Sequence, residues 1–151
     1  MTTLGGGGKE MDSMVQLTID NRKLTVQAGQ TILEAAQANG IDIPHLCHEP
    51  RLKPSGACRL CQVHVGNVES APVLACWTPV AEGLTVTTES AQLASRRKAI
   101  LELLLSEHRM ACATCDADGE CMLQDLAYRY GANEWTYGTF QHIEPAVFSR
   151  P

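Results

Sequence analysis

Val15, Leu17 and Ile19 alternate with Gln16 and Thr18, and Leu24 and Val26 alternate with Lys23, Thr25 and Gln27. Period-two alternation marks strands with one buried face. Asp20-Asn21 turns the chain between them, so the segment predicts a β-hairpin, which Ala28-Gly29-Gln30 ends. Thr31-Ile32-Leu33-Glu34 has the form of a capping box, a Thr N-cap with Glu three positions on. The helix it opens runs through Ala35, Ala36 and Ala38 and stops at Asn39-Gly40. Pro44 starts a loop over 44–60 with three prolines and one glycine, a length that is usually functional in a compact domain. Beyond it Val63 and Val65 are expected inward, with Gln62 and His64 outward. Val73-Leu74 lead into Ala75-Cys76, and Leu84 and Val86 among threonines 85, 87 and 88 give a last strand. Two strands, a helix, a cysteine-bearing loop and further short strands follow the order of a β-grasp.

A second pattern begins at Ala91. Leu93, Ile100, Leu101, Leu104 and Leu105 form an apolar stripe at helical spacing over 91–106, with Arg96, Arg97 and Glu102 off it. After a cysteine-bearing stretch, Met122-Leu123, Leu126-Ala127 and Tyr130 predict one face of a short helix ended by Gly131. The fold class read from this is α+β: a β-grasp domain over 14–89, then a small helical domain over 90–131. A flexible leader or cloning remnant over 1–13 and a tail over 132–151 flank them. The tail carries Trp135, Tyr137, Phe140 and Phe148, too apolar for a solvated end, and is expected to dock on a partner or to pack back on the second domain.

The 151 residues suit one domain or two small ones. Two Trp, three Tyr and two Phe leave the core aliphatic. At a net charge of −5 the basic residues collect only at Arg96-Arg97-Lys98. That triplet reads as a solvated helix face, so nucleic acid is not expected as a partner. No apolar run approaches the ~20 residues of a membrane span, and no secretory signal pattern opens the chain. Seven cysteines, an odd number, fit a closed disulfide framework poorly. With neither a signal pattern nor a span, a soluble, cytoplasmic chain is expected, and there clustered cysteines are more often metal ligands than disulfides.

Four of the seven are Cys47, Cys58, Cys61 and Cys76, in the spacing C-x10-C-x2-C-x14-C. Four thiolates, two per iron, hold a [2Fe–2S] cluster. Its bridging sulfides attract backbone N–H donors, and Gly56 lets the backbone approach with no Cβ in the way. Ala57 is a small neighbour and Arg59 a cation beside an anionic core. Zinc also accepts four cysteines, although zinc ribbons usually use two C-x2-C pairs. A Rieske centre has its C-x-x-H in Cys61–His64 but no C-x-H to complete it. His45 and His48 flank Cys47 and read as loop residues that donate hydrogen bonds or are solvated.

The run from Cys47 through Ser55-Gly56-Ala57-Cys58-Arg59-Leu60-Cys61-Gln62-Val63 to Ala75-Cys76-Trp77-Thr78-Pro79-Val80 resembles a known family. It is similar to the [2Fe–2S] ferredoxin-like domain of the complex I large iron–sulfur subunit. The same domain occurs in iron-only hydrogenases, the diaphorase small subunit of NAD-reducing hydrogenases and some NAD-dependent formate dehydrogenases. The resemblance covers roughly residues 14–131.

Three cysteines remain, Cys112, Cys115 and Cys121, one short of a [4Fe–4S] cube. His108 precedes them in H-x3-C-x2-C-x5-C. The residues alone also allow His108 to be a polar residue ending the long helix. The family carries a [4Fe–4S] motif of one histidine and three cysteines just after a connecting helix, and Cys115-Asp116 with Gly119-Glu120-Cys121-Met122-Leu123-Gln124-Asp125 looks like its signature. The resemblance thus implies that His108, Cys112, Cys115 and Cys121 bind a [4Fe–4S] cluster. Usual relatives have Pro and Asp between the His and the first Cys. Here Arg109, Met110 and Ala111 stand there, which touches the surroundings and not the ligands.

No G-x-G-x-x-G follows a strand, and no Ser/His/Asp set or G-x-S-x-G occurs. The expectation is an electron-transfer subunit with no catalytic site of its own. The resemblance implies its partners: a flavin- and cluster-bearing NADH-oxidising subunit on one side, and a hydrogenase, formate dehydrogenase or electron-bifurcating flavoprotein on the other. The alternatives are the front of an oxidoreductase catalytic subunit and a zinc-binding interaction module.

Overall fold

The computed structural model describes residues 13–108 and 111–132. The expected leader (but for Ser13) and almost all of the expected docking tail lie outside them. The chain divides into two compact units, one ending at Leu93 and one beginning at Ala94.

In the first unit, strands β1 (Met14–Ile19) and β2 (Arg22–Gln27) pair antiparallel, Leu17 opposite Leu24. Asp20 and Asn21 take φ of 47° and 65°. Two left-handed residues in a two-residue loop match the twist of a hairpin, and Asp and Asn tolerate that region. The Asp20 carboxylate accepts from the Thr88 N–H at 2.8 Å, tying the turn to the end of the last strand. The expected capping box forms around α1 (Ile32–Ala38): the Glu34 N–H donates to the Thr31 hydroxyl at 3.2 Å, and the Thr31 N–H donates to the Glu34 carboxylate at 2.7 Å.

Strands β3 (Gln62–Val65), β4 (Val73–Leu74) and β5 (Leu84–Thr87) complete a five-stranded sheet in the order β2-β1-β5-β3-β4. The central pair β1 and β5 is parallel and the other pairs are antiparallel. This is the α+β, β-grasp arrangement of a ferredoxin-like domain. Its core joins Leu17, Ile19, Val26, Ile32, Leu33, Ile43, Val63 and Val86, and includes Cys61 and Cys76.

One strand expectation fails. His64, outward by the alternation, is fully buried. Its Nδ1 lies 3.1 Å from the Ser70 carbonyl and its Nε2 3.3 Å from the Ser90 hydroxyl, so a turn and a helix cap supply the partners that water would. Val65, expected inward, is only partly buried.

Helix α2 (Ala91–Ser106) starts at Ser90, whose hydroxyl accepts the Leu93 N–H at 3.1 Å. Its buried positions are Leu93, Arg97, Leu101 and Leu105, every fourth residue. Two expectations are corrected here: Arg97 is not on a solvated face, and Leu104 is 37% exposed. Arg97 donates to the Tyr130 hydroxyl at 3.1 Å and lies 5.6 Å from the centre of its ring, so α3 (Met122–Tyr130) makes room for a buried cation. A 3-10 turn over Cys112–Thr114 precedes α3, which ends at Gly131 with φ of 64°, as expected. Met122, expected on the packed face, is 50% exposed, whereas Leu126 and Ala127 are buried. Among the described residues no helix is long and apolar enough to cross a membrane.

Candidate metal centres

Cys76 reaches Cys61 through backbone bonds on either side. The Ala75 N–H donates to the Cys61 carbonyl at 2.9 Å, and the Ala75 carbonyl accepts from the Leu33 N–H in the first turn of α1 at 3.0 Å. The Ile32 N–H binds the Thr78 carbonyl at 2.9 Å. The orphan donors of the helix start thereby hold the Cys76 turn in place. The result is a Cys61–Cys76 pair with sulfurs 3.3 Å apart, 1% and 2% exposed.

Cys47 and Cys58 are half-buried, and the Cys58 N–H donates to the Cys47 sulfur at 3.4 Å. The loop between them turns through Gly56 at φ 63°, and Arg59 follows it at φ 59°. A left-handed Arg is an uncommon conformation. It sits between Cys58 and Cys61, and the Gln62 side chain donates to its carbonyl at 3.0 Å. Gly56 is buried, whereas Ala57 and Arg59 are exposed. A Cβ on Gly56 would lie 2.9 Å from Nε1 of Trp77 and 3.1 Å from Cδ1 of Leu74. The glycine therefore has a steric reason that spacing alone does not reveal. Gly56→Ala is expected to destabilise the first unit by about 1–2 kcal/mol, from the left-handed φ and the crowding of Trp77. A lowered urea midpoint with an unchanged slope checks this.

The thiols differ in acidity. Burial pushes Cys47 up, but the Cys58 N–H, the Ser55 hydroxyl, the Cys58 side chain and the Ala57 N–H outweigh it and lower it to about 7. Burial raises Cys58. Burial, then the Cys61 side chain, pushes Cys76 up to about 12, with Cys47 and Cys58 adding repulsion. The Cys76 sulfur thus feels the other three. In the cluster-free protein at pH 8, above 7 and far below 12, Cys47 is mostly thiolate and Cys76 is a thiol. Iodoacetamide is therefore expected to label Cys47 at least ~10-fold faster than Cys76. Peptide mass mapping over a time course measures it, and equal rates would contradict it.

In the second unit, an open hollow of about 30 Å³ is lined by His108, Cys112, Cys115 and Cys121, with Ala117, Asp118 and Gln124. The Cys115 N–H closes the 3-10 turn on the Cys112 carbonyl at 2.9 Å, and Cys121 stands at the N-cap position of α3, its carbonyl accepting the Asp125 N–H at 3.0 Å. Gln124 clasps the intervening loop: it accepts from the Gly119 N–H at 3.3 Å and donates to the Asp118 carboxylate at 3.0 Å. The sequence reading assigns Gln124 no role of its own. Its place in the first turn after Cys121 is the available signal.

The residues fit the chemistry of clusters. Two thiolates about 2.3 Å from one tetrahedral metal stand roughly 3.8 Å apart, near the Cys61–Cys76 separation. Donors grouped in pairs suit a two-iron centre, which asks two thiolates of each iron, better than one zinc, which asks four. Fold and donors together define an iron–sulfur protein.

Comparison with known proteins makes this specific. Residues 12–91 match the family model of the 2Fe-2S iron-sulfur cluster binding domain, and residues 97–135 match that of the NADH-ubiquinone oxidoreductase-G iron-sulfur binding region. The chain belongs to this iron–sulfur family, with a [2Fe–2S] domain and a [4Fe–4S] region in succession. It is 47% identical over 125 residues to the NADPH-Fe(3+) oxidoreductase subunit alpha of Geobacter sulfurreducens, covering 83% of this chain and 15% of that protein. It is 40% identical over 129 residues to the mitochondrial NADH-ubiquinone oxidoreductase 78 kDa subunit of Neurospora crassa, covering 85% and 17%. It also matches a crystal structure of NAD+-reducing [NiFe]-hydrogenase in the H2-reduced state, with TM-score 0.76 and 36% identity, over 83% of this chain and 53% of that one. The chain thus spans about one-sixth of the length of these two curated relatives.

Proposed function

We propose that the chain is an electron-relay module, with a [2Fe–2S] centre on Cys47, Cys58, Cys61 and Cys76 and a [4Fe–4S] centre on His108, Cys112, Cys115 and Cys121. The observation that carries the reading is twofold: the four second-region residues line one hollow, and the four first-region thiols gather separately. Each cluster supplies reversible one-electron uptake. The polypeptide's part is to hold, shield and tune. Cys61 and Cys76 fix one end of the first centre in the apolar core, and Cys47 and Cys58 hold the other nearer the surface. Gly56, Ala57 and Arg59 shape the loop so that backbone N–H groups face the sulfurs. Residues 14–89 form the [2Fe–2S] domain, and 90–131 the connecting helix and the [4Fe–4S] domain with its one histidine and three cysteines.

The relatives are oxidoreductase subunits whose names pair a nicotinamide cofactor with a second electron partner. That supports a place in a hetero-oligomeric complex, between an NADH-oxidising flavoprotein subunit and a catalytic oxidoreductase subunit such as a hydrogenase or formate dehydrogenase. In the intact complex, freeze-quench EPR after NADH addition is expected to show both centres reduced within one turnover. A variant lacking one centre should pass electrons onward at least ~100-fold more slowly. Unimpaired flow in that variant would rule out the relay.

A further inference from the structure

His48 follows Cys47 directly, and both its ring nitrogens are buried with no hydrogen-bond partner among the described residues. His45, on the other side of Cys47, is the contrast: Nδ1 lies 2.8 Å from the Ile43 carbonyl and Nε2 3.2 Å from the Gln37 side-chain nitrogen. The two rings meet edge to face at 5.8 Å between centres. Buried polar atoms in native proteins are bonded, so an orphan pair points to a partner the polypeptide does not provide. An imidazole carries an N–H in either protonation state, so His48 always has a donor to place. Its neighbour in the chain is a proposed cluster ligand, and cluster sulfurs are anionic acceptors.

We propose that His48 donates a ring N–H to a sulfur of the [2Fe–2S] centre at its Cys47 end, and so helps to set the potential of that centre. The proposal rests on the assignment of Cys47, Cys58, Cys61 and Cys76 as ligands. Reduction makes the cluster more negative, so a donor to its sulfur stabilises the reduced form and raises the potential. His48 is a tuning residue and not a ligand: the four thiolates complete the coordination.

The test uses the cluster-loaded protein. In an EPR-monitored redox titration, His48→Leu is expected to weaken reduction of the [2Fe–2S] centre about tenfold, a fall of about 59 mV for one electron. The [4Fe–4S] signal should keep its potential. His48→Gln, which keeps an N–H donor, should recover part of the shift, and His45→Leu should leave the potential in place. With histidine-selective 15N labelling, pulsed EPR on the reduced [2Fe–2S] signal should detect a nitrogen coupling that His48→Leu removes and His45→Leu retains. A normal [2Fe–2S] signal with unmoved potential and no histidine coupling overturns the role of His48 alone. Absence of the [2Fe–2S] signal from the wild-type protein overturns the ligand assignment beneath it. If His48→Leu does not load, the His48→Gln potential and the wild-type coupling decide.

Discussion

Cys61→Ala is expected to abolish the [2Fe–2S] centre and leave the [4Fe–4S] centre intact. Iron should fall from about six atoms per chain, two plus four, to about four. Cys61 is 1% exposed and its sulfur lies 3.3 Å from that of Cys76, inside the apolar core. On the proposed assignment, its loss leaves one iron with a single protein thiolate. His64 cannot swing in, because Ser70 and Ser90 hold both its ring nitrogens. Metal sites of this kind are coupled to folding, so the first unit should also lose several degrees of thermal stability. EPR of the reduced variant, with iron analysis, reads both effects. Retention of both signals would mean that Cys61 is not a ligand.

His108 carries the second large effect. A neutral imidazole in place of a thiolate removes one negative charge from the site, which favours the reduced form. His108→Cys should restore four thiolates and lower the potential of the [4Fe–4S] centre alone, by on the order of 100 mV given the scale of the His-for-Cys effect in Rieske centres. His108→Ala should leave three cysteines around the hollow and make that cluster labile. The first signal should not move in either variant, because neither substitution alters a proposed ligand of the [2Fe–2S] centre. A His108→Cys variant with an unchanged second potential would return His108 to the role of a helix-end residue.

The local grammar of the chain is legible where neighbours in sequence decide the structure. The hairpin follows from alternation and from Asp20-Asn21, and α1 from Thr31 and Glu34, because each signal involves residues at most a few positions apart. Cysteine spacing marks both sets of candidate residues, since soft donors in short-range patterns admit few chemistries. What is not legible depends on distant partners. His64 is paired by Ser70 and by Ser90, and Arg97 by Tyr130, 33 residues on. A periodicity rule that sends polar residues outward has no access to those partners. The same holds for Gly56, whose neighbour Trp77 arrives from the far side of the Cys76 turn, and for His48, whose unpaired nitrogens emerge only once the loop is folded.

The most direct test of the two-centre account is Mössbauer spectroscopy of the protein loaded with 57Fe. The account predicts two components, from a [4Fe–4S] and a [2Fe–2S] centre, in an area ratio of four to two. A single component, or a protein that holds zinc and shows no iron absorption, would contradict it.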